Sequence, residues 1–210
     1  MRYFILLSCF IFILLNIQAQ DALSDGWKLK KSKNGIEVFT RTMEDSKFKE
    51  YKTVCEINAS PKELMDILID VEHYQDWMAY VKKAEQLEKK GENEFYVYSE
   101  VIVPWPFNNR DGITKSIVKR NMATGIDSVE IIMIPDFIPE KEGIVRMPCG
   151  RGLWIFTPLD DGKTKVHHQF GGDPGGNIPA WVVNMFLVDG PYKTMLGLQE
   201  VVSNTNLISK

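Results

Sequence analysis

The side chains able to carry acid, base or metal chemistry are few and scattered. Among the three histidines, His167 and His168 are neighbours in a stretch that alternates like a strand. Their rings therefore point to opposite faces and cannot converge on one metal ion. His73 is remote in sequence, and each histidine reads as a structural or solvent-facing group. Glu100 shares its strand face with Tyr96, Tyr98 and Ile102, which makes it a candidate for a polar group orienting a ligand inside an apolar cavity. A solvated, tyrosine-rich strand face fits the same residues equally well. Glu100, Arg110 and Tyr98 are also the acid/base candidates of a catalytic reading, provided that they meet in one place.

Other chemistries find no support in the spacing. There is no CxxC and no Cys/His cluster at metal-ligand spacing, so no metal is expected, and no nucleophile elbow, phosphate loop or dinucleotide fingerprint points to a cofactor. Gly171-Gly172-Asp173-Pro174-Gly175-Gly176 is glycine-rich, but it follows a strand and leads to Pro179 without the basic residue of a phosphate cradle. It reads as a loop in which the preceding strand ends, and as a hinge for the terminal helix. Lys28, Lys30, Lys31 and Lys33 read as a solvated face. A formal charge of −3 over 210 residues argues against a nucleic-acid binder working through a basic surface. Cys55 and Cys149 each sit in a strand-like stretch and are read as two buried thiols, with a disulfide as the alternative.

The elements that must position these residues emerge from periodicity. Gly35 to Arg41 and Lys47 to Ile57 alternate as strands around the turn Met43 to Ser46. Ser60, Pro61 and Glu63 open a helix with a capping-box pattern, whose stripe is Leu64, Ile67 and Leu68, and a short helical piece spans Val71 to Trp77. Strands are then expected at Val81 to Leu87, Glu94 to Val103, Arg110 to Arg120, Ser128 to Ile134, Gly143 to Cys149, Leu153 to Leu159 and Lys163 to Phe170. Cys149 to Gly152 reads as one of the turns between them. A long apolar helix begins near Pro179, with a kink or break at Asp189 because Gly190-Pro191 interrupts it. Nine strands and one long helix make an α+β chain in which a curved antiparallel sheet has its apolar face covered by the helix.

The N-terminus reads as a leader. Arg2, the apolar run Tyr3 to Leu15 and the small-residue ending at Ala19 have the three regions of a signal peptide, leaving residues 20–210 as one domain outside the cytoplasm, periplasmic or secreted. Cys9 lies too early to serve as a lipoprotein site, and an uncleaved anchor is the alternative.

Several motifs, in order along the chain, resemble those of the StAR-related lipid-transfer (START) domain family. Trp27-Lys28-Leu29 with Gly35-Ile36-Glu37-Val38-Phe39 resembles its first helix-to-strand passage, and Asp70, Tyr74 and Trp77 its following helix. Pro104-Trp105-Pro106-Phe107-Asn108-Asn109-Arg110-Asp111 resembles its Pro-rich turn ending in Arg-Asp, and Gly143-Ile144-Val145-Arg146 a later strand. Asn177-Ile178-Pro179-Ala180-Trp181-Val182-Val183-Asn184 resembles the start of its C-terminal helix.

The resemblance implies a helix-grip fold whose internal cavity binds one lipid or other apolar molecule, with the C-terminal helix and nearby loops as a lid. It implies no enzymatic activity and no cofactor, with monomeric protein and transient membrane contact as the accompanying expectations. Val129, Ile131 and Met133 on one strand, with Met185 and Phe186 on the helix, are the candidate apolar walls, although each taken alone reads more readily as an ordinary core residue. Arg110 and Asp111 are then expected to hold the Pro-rich turn by hydrogen bonds rather than to touch a head group, and a buried Arg110 would need a carboxylate in either role. The competing functions are an enzyme of the polyketide cyclase/aromatase type and a partner-binding scaffold presenting Trp105 and Phe107.

Overall fold

The computed structural model describes residues 26–43 and 48–208. The leader at residues 1–19, Cys9 within it and most of the turn at Met43–Ser46 lie outside the described residues. The strands are β1 (Lys28–Lys33), β2 (Ile36–Thr42), β3 (Lys49–Ile57), β4 (Val81–Lys90), β5 (Glu94–Val101), β6 (Arg110–Asn121), β7 (Ile126–Met133), β8 (Val145–Arg146), β9 (Cys149–Pro158) and β10 (Thr164–Asp173). Nine form an antiparallel sheet in the order β1-β2-β3-β10-β9-β7-β6-β5-β4, and β8 pairs in parallel with β6.

Between β3 and β4 lie α1 (Pro61–Ile69), a 3-10 turn at Val71–His73 and α2 (Tyr74–Trp77). The capping box forms as its sequence demands: the Glu63 backbone N–H donates to the Ser60 hydroxyl, and Ser60 N–H donates to the Glu63 carboxylate. Leu64, Met65 and Leu68 are buried beneath it.

The described sheet has ten strands rather than nine because Lys28–Lys33 is a strand, where a helix-to-strand passage was expected. The local cause is legible: Asn34 and Gly35 both have positive φ, 54° and 71°, and Lys33 pairs with Ile36 across them. Asn-Gly is the favoured pair for such a two-residue hairpin turn. Cys149 to Gly152 is likewise strand, not turn, and β10 runs on through Gly171 and Gly172 to Asp173. The glycines there create close approach instead of a bend. A Cβ on Gly152 would lie 2.7 Å from the Phe170 ring, and one on Gly171 would lie 2.4 Å from the Glu50 Cβ. The strand expected at Gly143–Cys149 shrinks to Val145–Arg146.

Cys55 is buried and Cys149 is exposed, and both are free thiols. Cys55 pairs with Val166 and Cys149 with Asp173, seven residues further along β10. That is roughly 23 Å at strand rise, far beyond disulfide reach. Exposure of Cys149 departs from the expectation of two buried thiols, because β9 begins there at the sheet's end.

The chain closes with α3 (Ala180–Asn184), a π-helical turn at Met185–Asp189 and α4 (Gly190–Ile208). The break expected at Asp189 is therefore a widened turn, in which Gly190 N–H donates to the Met185 carbonyl. Pro191 has no N–H to bond the carbonyl four residues back, and the wider turn accommodates its ring. The helix lies on the concave face of the sheet over a core that includes Trp154, Phe156, Ile36, Leu64, Met195 and Leu198. Gly197 permits the closest approach: a Cβ there would stand 2.3 Å from the Trp77 carbonyl oxygen. No helix of the described residues is long and apolar enough to cross a membrane.

Candidate functional site

Between the concave face and the C-terminal helix lies a pocket of about 500 Å³. Alternation along each strand decides which residues reach it. Phe95, Val97, Ser99 and Val101 of β5 face it, as do Arg110, Thr114 and Ser116 of β6 and Val129, Ile131 and Met133 of β7. The helix contributes Val183, Phe186, Leu187, Gly190, Pro191 and Thr194, a stripe at helical spacing.

Five of the residues singled out in the sequence are thus brought together: Arg110, Val129, Ile131, Met133 and Phe186. Met185 is not, because it falls on the opposite side of the helix from the stripe through Val183, Leu187 and Pro191. Tyr98 and Glu100 are not either, since they share the other face of β5 with Tyr96. The reason is that β5 is buried on both faces, so its alternation carries no sign for inside and outside. The outer face is covered by the segment from Pro135 to Arg146: Phe137 stacks on Tyr96 at 4.7 Å, and the Lys141 ammonium lies 3.5 Å from the Tyr98 ring centroid.

On that outer face Glu100 accepts hydrogen bonds from Lys82 Nζ at 2.9 Å and Asn109 Nδ2 at 2.6 Å. Burial works to raise its pKa, but these two donors together with the Lys82 and Lys141 charges outweigh it and the net shift is downward, so Glu100 is an ionised structural group. Burial and the Asp111 carboxylate push the Tyr98 hydroxyl up to about 12. Asp111 receives a bidentate pair from Arg146, Nε to Oδ1 at 2.7 Å and Nη2 to Oδ2 at 3.1 Å. Arg146 also donates to the carbonyls of Pro135, Ile138 and Pro139 and so fastens the covering segment. The acid/base trio of the catalytic reading is consequently split between two faces of the sheet.

The pocket's polar groups are different ones. His168 stacks on Trp154 with ring centroids 3.7 Å apart and 7° between planes, and its Nε2 lies 3.3 Å from Tyr51 Oη. Burial, with a smaller contribution from His167, pushes its pKa down to about 3, so the ring is neutral. In the sequence His168 reads only as a structural or solvent-facing group, although Val166, His168 and Phe170 alternate in phase on β10. His167 faces the other way, as adjacency requires. At the rim, Arg110 Nη1 donates to Asn108 O at 2.5 Å and Nη2 to Gly175 O at 3.4 Å, joining the Pro-rich turn to the glycine loop. Gly175 and Gly176 have φ of +73° and +64°, which favours glycine at both positions.

The remaining motif residues divide sharply. Trp77 is core, edge-on to Trp154 at 6.3 Å. Trp105 is 91% exposed and Trp181 51% exposed, and Phe107 meets Trp181 edge to face at 6.1 Å. Pro179 is the extended residue before α3, and Asn184 on α3 is exposed. Among the described residues no group of three or more His, Cys, Asp or Glu is placed to hold a metal ion.

This arrangement has close counterparts among known proteins. A crystal structure of the STAR-related lipid transfer protein from Xanthomonas axonopodis is 31% identical, with a TM-score of 0.77 over 85% of this chain and 99% of that one. An uncharacterised Pseudomonas aeruginosa protein is 32% identical over 86% of this chain and 89% of its own length. The phosphatidylcholine transfer protein of Mus musculus is 28% identical over 78% of each chain. Human StAR-related lipid transfer protein 5 shares the fold at 20% identity, with a TM-score of 0.77. The START domain model matches residues 15–199, nearly the whole length, and with a curved antiparallel sheet gripping a long C-terminal helix the chain belongs to the START domain family.

Proposed function

We propose that the protein binds one lipid or similar apolar molecule in the pocket beneath its C-terminal helix and carries it between membranes, as a non-enzymatic monomer outside the cytoplasm. The observation that carries this reading is the pocket itself: about 500 Å³, walled by Val97, Val129, Ile131, Met133, Phe186 and Leu187. Its volume falls within the roughly 300–1,000 Å³ usual for small-molecule sites. Each methylene transferred into such walls contributes about 0.8 kcal/mol. The relatives named as lipid transfer proteins support the same class of ligand. The leader-like N-terminus supports the location.

Membrane contact has its own support. Phe107 meets Trp181 edge to face and Trp105 is 91% exposed, on the turn before β6 and at the start of the helix, close in sequence to the pocket-lining Arg110 and Ile178. Aromatic rings suit the interface between acyl chains and head groups. An enzymatic role in this pocket lacks its acid/base pair, because Tyr98 and Glu100 lie on the far face.

Native mass spectrometry of the purified protein, after incubation with vesicles containing phospholipid, fatty acid and diacylglycerol, tests the reading. One bound lipid per chain is expected, and protein that stays lipid-free throughout refutes it.

A further inference from the structure

The two buried arginines of the Arg-Asp region are treated very differently. Arg146 is 8% exposed and fully engaged, with two bonds to the Asp111 carboxylate and three carbonyls around it. Arg110, one residue before Asp111 on β6, is 4% exposed and points to the opposite, concave face. It makes no ion pair with any described carboxylate. Its guanidinium donates only to two backbone carbonyls, Asn108 O and Gly175 O, and its Nε–H is buried without a partner.

A guanidinium carries five N–H donors and cannot give up its charge in a protein. Leaving such a cation buried and partly unpaired is costly unless something negative meets it. Desolvation is the sole influence on its acidity, in the downward direction, which is what a cation without an anionic neighbour experiences. The one carboxylate among the pocket's lining residues, Asp173, accepts the Gly175 N–H at 2.8 Å and makes no ion pair with Arg110. Lys49, also at the rim, is exposed. The glycine loop closes around the guanidinium: a Cβ on Gly176 would sit 3.8 Å from Nη2. Arg110 therefore lines the mostly apolar pocket beside the glycine loop, with donors left over.

We propose that Arg110 is the receptor for an oxyanion, a phosphate or carboxylate, in the head of the lipid that the pocket holds. This rests on the lipid-binding reading and narrows it. The ligand is an anionic or phosphate-bearing amphiphile, with its chain among Val129, Ile131 and Phe186 and its head oxygens against the Arg110 donors. A planar guanidinium suits such oxygens, and carbonyls occupy only two of its five N–H donors.

Oleoyl lysophosphatidic acid and monooleoylglycerol differ only by the phosphate, so their affinities for the full chain isolate the head. The wild type should hold the phosphate-bearing lipid at least about tenfold more tightly, as expected for a desolvated charge-assisted pair. Arg110→Gln should erase that preference while still taking up monooleoylglycerol, and Arg110→Lys should keep part of it. Equal affinities in the wild type, or an undiminished preference in Arg110→Gln, overturn the proposal. The wild-type comparison needs no variant, so a misfolded Arg110→Gln leaves the test intact.

Inorganic phosphate distinguishes the source of the anion. Competition by phosphate against lysophosphatidic acid, but not against monooleoylglycerol, supports a head-group site. Thermal stabilisation by phosphate together with equal affinities for the two lipids assigns the site to free phosphate and overturns the lipid assignment. Failure to bind either lipid removes the lipid-binding reading as well, whereas equal binding of both removes only the oxyanion site.

Discussion

His168 is held between the Trp154 ring face and the Tyr51 hydroxyl in a place where its charged form has no solvent. Its pKa falls from the ordinary 6.5 to about 3 on folding. The unfolded chain therefore binds a proton that the folded chain refuses between those two values. The neutral ring's contribution is complete above about pH 6.5 and is lost as pH falls toward 3, at up to roughly 1.4 kcal/mol per pH unit. His167 shifts in the same direction, from burial first and then the Lys52 charge, so the comparison must isolate His168. His168→Phe keeps the stacking surface and removes the titration. Urea unfolding of both proteins at pH 7, 5.5 and 4.5 should show the wild type losing more stability on acidification than the variant, and parallel losses would refute a buried neutral imidazole. Residues of this kind are hard to read from sequence. A histidine in phase with Val166 and Phe170 declares its face but not its burial, and Glu100, in phase with Tyr96 and Tyr98, declared a face and pointed to the wrong one.

At the scale of elements, most of what the chain says locally is kept. The capping box at Ser60 forms because its two hydrogen bonds are local. β7 presents Val129, Ile131 and Met133 inward, alternating with Ser128, Glu130 and the exposed Ile132. The departures have tertiary causes. β5 is covered on both sides, the second cover being the segment from Pro135 to Arg146, which Arg146 ties to Asp111, 35 residues away in sequence. Glycines at 150, 152, 171 and 172 look like turn residues but serve strands that other groups approach closely. Gly197 belongs to that second kind, on α4 where the helix meets the Trp77 backbone. A methyl group there would need the carbonyl oxygen, now 2.3 Å from the Cβ position, or the helix axis to move. Alanine's better helix propensity, about 1 kcal/mol, works the other way but does not relieve a backbone clash. Gly197→Ala should therefore lower stability by roughly 1–3 kcal/mol in urea unfolding, as overpacking does. A midpoint at or above that of the wild type would mean that helix and α2 are not in contact.

For the molecule as a whole, the pocket ties stability to occupancy. The sheet and the C-terminal helix line the pocket with apolar side chains, so a lipid that binds there in the folded chain alone, as proposed, stabilises it by mass action. At a hundredfold excess over its Kd the gain is about 2.7 kcal/mol, which for a chain of this size is roughly 5–10 °C in Tm. Oleoyl lysophosphatidic acid is the probe that the proposed Arg110 site would favour. Ile131 faces the pocket and is only partly buried, so Ile131→Trp adds its ring to the ligand's space. The ring contributes apolar burial of its own, and the unliganded variant should melt at or near the wild-type temperature while its lipid-induced shift falls below about 2 °C. Differential scanning fluorimetry with and without the lipid reads both numbers. A full shift in Ile131→Trp would mean that the lipid does not occupy the pocket beside Ile131.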